Sequence, residues 1–307
     1  MSPAKAISWR QRCEYYFTVW LTRLLRHFSL YRRHRLADLL GLVWYYLLPF
    51  RHKVVRRNLT NAFPEMTERW RRRIMRRCYQ HVCGIYFDLL PFYYLSNAQF
   101  AKLVRVAGIE FIKSALAENR GALVVLYHFG NWEICADWLA RQGRRIAAVA
   151  KRQKNVLVDR LIFQARTHNG VEIFNKNRRN AWQLKRFLQQ GGMLYLLADQ
   201  DARRSGVFVN FFGQPASTHR GPALFALQGN VPIITGCCLW TGRDYLIEWE
   251  NFPFQPQYKS REQAVLEITQ RLASHYETLI RRHPEQYYWL HRRWKTRPPQ
   301  EVHHAVS

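Results

Sequence analysis

His128 and Glu133, five positions apart, are the residues of this chain whose types and spacing best suit moving a proton. The run ALVVLYH (122–128) reads as a buried strand ending in the histidine, and Phe129, Gly130, Asn131 and Trp132 lead on to the acid. Gly130 permits a tight strand-to-helix turn, Asn131 suits an amino-terminal cap, and Glu133 falls in the first helical turn, where the dipole favours a carboxylate. The carboxyl end of a strand is where α/β sheets place ligands. The turn can fold the carboxylate back onto one ring nitrogen, leaving the other free to take a proton from a hydroxyl. Such general-base help is worth roughly 10²–10⁴ in rate, and no enzyme nucleophile is needed if the hydroxyl belongs to the acceptor. A satisfied histidine at a strand end, with no chemistry to do, fits the same spacing. Cys135 lies nearby and reads as a packing residue of the following helix.

The elements that must position this pair emerge from the hydrophobic pattern. Apolar runs at 122–128, 145–151, 171–174, 193–199, 231–238 and 245–250 alternate with helix-like segments near 132–141, 156–168, 180–190, 220–228 and 262–282. Nearly all-apolar strands separated by helices imply a sheet covered on both faces, hence an α/β domain. Ahead of it, Thr67 is placed to cap a helix from about Glu68 to Leu90, with Trp70, Ile74, Cys78 and Val82 on one face. We expect two segments: an aromatic and basic membrane-anchoring stretch over 1–52, and the α/β domain over 53–307.

The anchor is read from Glu14 to Leu30 and from Leu36 to Phe50, rich in Trp, Tyr, Phe and Leu and flanked by arginines. The second stretch as a helix spans ~22 Å, short of a hydrocarbon core of ~30 Å, so it suits an interfacial position, with a single tilted crossing or a pair of ordinary core helices as alternatives. No apolar core leads to a small-residue cleavage site, so no cleavable signal is expected. The formal net charge of +27 points to nucleic acid, an anionic membrane or a polyanionic substrate. Six cysteines without paired C-x-x-C spacing offer no zinc framework and no disulfide scaffold.

Five ordered stretches resemble the lipid A biosynthesis acyltransferases, the late lauroyl and myristoyl transferases. VVRRNLTNAFPE (54–65) looks like the segment after that family's anchor, and LYHFGNWE (126–133) matches its H-x₄-[D/E] motif in the Glu form. KRQKNVLVDRLIFQARTHNG (151–170), LLADQDARRSGVFVNFFGQPASTHRGPALFAL (196–227) and WLHRRWK (289–295) resemble later family blocks. The resemblance implies a glycerolipid-acyltransferase-like mixed sheet flanked by helices on both faces, with a membrane-associated helical segment at the amino terminus. It implies acyl transfer from acyl carrier protein to a hydroxyl of a Kdo-bearing lipid A precursor, at the cytoplasmic face of a bacterial inner membrane, monotopic or single-pass.

Within that frame His128 is the base, Glu133 its partner, and Arg166 steadies the oxyanion, unless Arg166 merely pairs with a surface acid. Asp199, Gln200 and Asp201 look like a metal-binding D-x-D but are read as site-shaping or hydrogen-bonding residues and, with Asn131, are counted with the substrate-binding set, so no metal or cofactor is expected beyond the carrier thioester. Arg203 and Arg204 meet acceptor phosphates or simply face solvent. Phe208, Phe211 and Phe212 line an acyl tunnel or belong to the core, Phe212 being counted with the substrate site. Thr218 and Arg220 begin a helix near the acceptor. The carrier protein, an anionic phospholipid surface and a phosphorylated glycolipid absorb the basic charge without nucleic acid. Another glycolipid or an aminolipid as acceptor, or a non-catalytic basic protein binding membranes or nucleic acid, are the competing readings.

Overall fold

The computed structural model describes residues 7–117, 121–175, 180–254 and 258–299. It opens with α1 (Trp9–Arg26), α2 (Leu30–Leu47), α3 (His52–Ala62) and a long α4 (Glu68–Tyr93). Next come α5 (Asn97–Leu103), β1 (Val104–Ala107), α6 (Ile109–Leu116), β2 (Ala122–Leu126) and α7 (Trp132–Arg141). Then come β3 (Ile146–Ala150), α8 (Val156–Thr167), β4 (Val171–Asn175), α9 (Ala181–Gln189) and β5 (Met193–Leu197). A hairpin of β6 (Val207–Phe211) and β7 (Gln214–Thr218) precedes α10 (Gly221–Gly229), β8 (Ile233–Trp240), β9 (Tyr245–Phe252) and α11 (Arg261–Arg282).

Seven strands form one mixed sheet in the order β1-β9-β8-β2-β5-β3-β4. All neighbours run parallel except β8 and β9, which the short turn at 241–244 joins antiparallel. Alternate residues of β2 enter different cores, as a strand period of two requires when both faces are covered. Leu123 and Val125 pack with α4, α9, α10 and α11, whereas Ala122, Val124 and Leu126 pack with α7 and with Phe100 of α5. The six expected strands are all present. Val104–Ala107 and the Val207–Thr218 hairpin are additions: one is a four-residue edge strand, and the other is short and carries Pro215.

The register of β2 and β5 aligns two side chains beyond the strand ends. Leu126 lies opposite Leu197, so two residues further along each parallel strand stand His128 and Asp199.

α1 and α2 pack one side onto α4, with Leu25 and Ala37 against Cys83 and Phe87. Arg33 and His34 of α2 reach a fully buried Asp88 of α4 at 3.3 and 2.9 Å. Facing solvent on these helices are Trp9, Tyr16, Phe17, Trp20, Tyr31, Leu39, Tyr46 and Leu47. Among the described residues no helix is long and apolar enough to cross a membrane.

Candidate active site

The H-x₄-E turn is held from several sides. Gly130 has φ +62°, and a Cβ there would lie 2.1 Å from the Cys238 carbonyl oxygen, so only glycine fits. Its amide donates to Gln286 O at 2.9 Å, the Asn131 amide donates to Cys238 O at 2.7 Å, and the Tyr288 amide donates to His128 O at 2.9 Å. The segment after α11 thus braces the loop that carries the histidine. That segment is itself fastened: Asn58 donates to Trp289 O and His291 O, both at 2.7 Å.

His128 and Asp199 meet as their register demands. Nδ1 of the imidazole lies 2.6 Å from Asp199 Oδ1. Burial pushes the Asp199 carboxyl up, but the His128 ring beside it, with His291 and Arg293, outweighs that and holds it well below the usual carboxylate range. A carboxylate accepts only, so Nδ1 carries a proton, and in the neutral ring this tautomer leaves Nε2 as the acceptor. Gln200 reaches Nε2 at 3.5 Å, and the Trp132 ring stands edge-on to the imidazole at 4.7 Å. The imidazole is thus held on one side and has only the longer Gln200 contact on the other.

Glu133 is not the imidazole's partner, which corrects the expectation from spacing. Its carboxylate accepts from Tyr93 Oη at 2.9 Å, Arg166 Nε at 3.0 Å, Arg166 Nη2 at 2.5 Å and Trp132 Nε1 at 3.2 Å. Glu133 sits on α7, whose first turn faces α4 and α8, not the end of β5. Burial raises its pKa, but Arg166 and the other donors bring it below the ordinary value. Arg166 is therefore neither a surface arginine nor, by any contact among the described residues, a neighbour of His128. Two of its guanidinium nitrogens are engaged by Glu133.

The remaining expected residues divide. Gln200, Asp201 and Arg203 line a cavity of about 950 Å³ that also presents Arg51, Lys53, His291, Arg292 and Lys295. Asp201 accepts from the Thr296 amide and hydroxyl at 3.2 and 3.0 Å. Among the described residues no carboxylate forms an ion pair with Arg51, Lys53, Arg203, Arg292 or Lys295. Such a cavity favours an anionic ligand, and Gln200 links its lining to the His128 ring. Arg204 and Arg220 are exposed and do not line it.

Other residues counted with the substrate site lie away from the cavity. Asn131 is fully buried, makes no side-chain cap, and donates to Tyr245 Oη at 3.4 Å, so it supports the turn from inside. Phe212 packs among Phe63, Phe211 and Trp289, in the core and not along the cavity. Phe211 is fully buried as well. Thr218 ends β7 and is buried; its hydroxyl donates to Ala216 O and accepts from Arg293, inside the protein and away from the cavity lining. Arg220 does begin α10, as expected, but it is exposed and lies outside the cavity lining.

Spacing concealed two contributors. His291 lines the cavity, donates Nδ1–H to Tyr288 O at 2.8 Å, and keeps a buried Nε2 without a partner. Burial pushes its pKa down to about 4 despite the nearby Asp199. Tyr93, which completes the Glu133 cluster, lies 40 residues away on a different helix. Its only sequence signal was a place at the end of an aromatic-rich segment.

The model of the family described as bacterial lipid A biosynthesis acyltransferase matches residues 4–296. The chain is 28% identical to the lipid A biosynthesis lauroyltransferase of Escherichia coli K12 over 275 residues, 86% of each protein. It is 26% identical to a lipid A biosynthesis acyltransferase of Haemophilus influenzae over 300 residues, 94% of this chain and 91% of that protein. A phosphatidylinositol mannoside acyltransferase of Mycobacterium tuberculosis is 28% identical over 192 residues, 62% of this chain. That match spans 59% of the mycobacterial protein, under two thirds of its length. With the match running through the amino-terminal helices, the H-x₄-E turn and the carboxyl-terminal brace alike, this chain belongs to the bacterial lipid A biosynthesis acyltransferase family.

Proposed function

We propose that the protein transfers an acyl group from acyl carrier protein to a hydroxyl of a Kdo-bearing lipid A precursor, with His128 as general base oriented by Asp199. The observation that carries this is the 2.6 Å bond between His128 Nδ1 and Asp199 at the ends of paired strands, which leaves Nε2 open. Nε2 removes the acceptor's O–H proton as the oxygen attacks the thioester carbonyl. The C–S bond then breaks, and the proton on Nε2 passes to the departing carrier thiolate. Asp199 stays ionised and stabilises the transient imidazolium. Glu133 and Arg166 keep α7 and α8 together beneath Trp132, which borders the imidazole.

The basic cavity supports a phosphorylated acceptor. The exposed aromatics of α1 and α2, with the arginines around them, support a seat on the cytoplasmic face of an inner membrane. The mycobacterial relative gives a second acceptor, a phosphatidylinositol mannoside, a specific reason to be tested.

Purified protein is to be assayed with acyl carrier protein thioester against Kdo-bearing lipid IVA and phosphatidylinositol mannoside in parallel. Lipid IVA acylation is expected, with His128→Ala lowering turnover roughly 10²–10⁴-fold. Undiminished turnover of His128→Ala defeats the mechanism, and acylation of the mannoside alone moves the acceptor. Salt-sensitive DNA binding with no acyl transfer to either replaces the enzyme reading altogether.

A further inference from the structure

A second concave site lies where α1 crosses the start of α8, and it shares no lining residue with the basic cavity beside Gln200. We propose that it holds the phosphate of an anionic membrane phospholipid, so that α8 joins the surface laid on the bilayer; this rests on the membrane-seated reading proposed for α1 and α2. The crevice encloses about 250 Å³, with Leu157, Leu161 and Tyr15 as apolar wall and Arg12, Arg160 and Gln164 as its polar groups. That volume admits a lipid headgroup and not a folded partner.

Charge identifies the occupant. Among the described residues neither Arg12 nor Arg160 pairs with an acid: Glu14 is taken by Arg10 and Asn155, and Asp159 accepts from the Gln153 amide. Two unpaired guanidinium groups on one small concavity, next to an apolar wall, match a phosphodiester followed by hydrocarbon. The two helices also expose Trp9, Phe17 and Trp20 on one side of the junction and Val156 and Phe163 on the other. Aromatic and aliphatic groups beside arginine are the composition of a membrane–water boundary.

The walls are fixed relative to each other. Asn155 caps α8, accepting from the Leu157 and Val158 amides at 3.0 and 3.4 Å, and donates to Gln11 O and Glu14 Oε2, both at 2.9 Å. Arg160 precedes Arg166 by ~9 Å of helix, so a lipid held here sets the depth of the Glu133 cluster against the bilayer.

The test measures binding of the full chain to vesicles of phosphatidylcholine alone and of phosphatidylcholine mixed with phosphatidylglycerol, with no acyl donor present. Both arginines are exposed, so substitution spares the fold. Arg12→Gln with Arg160→Gln is expected to weaken binding to the mixed vesicles about tenfold or more. Removing the same charge from α5 and α9, by Lys102→Gln with Arg186→Gln, is expected to cost far less. Arg12→Lys with Arg160→Lys keeps the charge but loses the planar fork, and is expected to stay weakened. Wild-type binding by the lysine pair, or equal losses for the two glutamine pairs, overturns the crevice alone. A wild-type chain that binds neither vesicle overturns the membrane seat with it.

Discussion

Asp199, fully buried, and Glu133, partly buried, are both carboxylates near the carboxyl end of β2, and they are occupied very differently. Asp199 accepts from one imidazole nitrogen, whereas Glu133 accepts four hydrogen bonds from three side chains. A carboxylate with all its lone pairs engaged and a guanidinium fork in front of it is a fastening. One that spends itself orienting a ring whose other nitrogen is open prepares a reaction. Sequence proximity to the histidine therefore misleads about which acid does which job, and substitution can separate the two.

The largest effect is expected from Asp199→Asn. It keeps size and burial but turns an acceptor into a group that favours the wrong imidazole tautomer, so kcat should fall roughly 10²–10⁴-fold with the thermal midpoint little changed. Turnover within tenfold of wild type would contradict the orienting role.

Glu133→Ala should invert that pattern, costing mainly stability. It strands Arg166 in a largely buried position, at about 3 kcal/mol in denaturant unfolding. Replacing both members, Glu133→Leu with Arg166→Met, should recover much of the loss. If the double variant is no more stable than Glu133→Ala, the pair is not the fastening described.

A smaller effect sharpens the contrast through pH. His291 is buried neutral with a pKa near 4, below the ordinary value of about 6.5, so the unfolded chain binds more protons between those limits. Its contribution to stability is complete above about pH 6.5 and is lost as pH falls towards 4. The thermal midpoint of wild type should drop over that window, and His291→Asn should show a shallower fall. Equal slopes would mean that His291 is not the group whose protonation loosens the fold.

Much of the fold was legible because its strands are apolar on both faces. A run such as ALVVLYH has no polar face to confuse with a helix, and a buried parallel strand needs no other signature. The hairpin was harder: Val207–Phe211 and Gln214–Thr218 are short, mix polar with apolar residues, and turn through Phe212 at φ +53°. His128 was visible at its strand end. Its partner was not, because the two side chains lie 71 positions apart, and a register between non-consecutive strands leaves no local trace. Asp199 was singled out as a site-shaping residue at the end of its strand, which fits its position, but spacing gave no sign that His128 is the group it bonds. Asn131 shows the converse error, since a polar residue in a motif reads as ligand-facing until burial shows it serving the backbone.

The brace on the loop that carries His128 bears on biosynthesis. The groups that grip His128 and Gly130 come from Tyr288 and Gln286, and Trp289 and His291 reach back to Asn58 near the start of the chain. Chains emerge amino terminus first, and helices packing locally, such as α2 on α4, can dock while translation continues. The loop bearing the histidine meets Tyr93 and Cys238 earlier but gains its Gln286 and Tyr288 bonds last, so the proposed acyl transfer should be silent in ribosome-tethered chains until the segment beyond α11 leaves the exit tunnel.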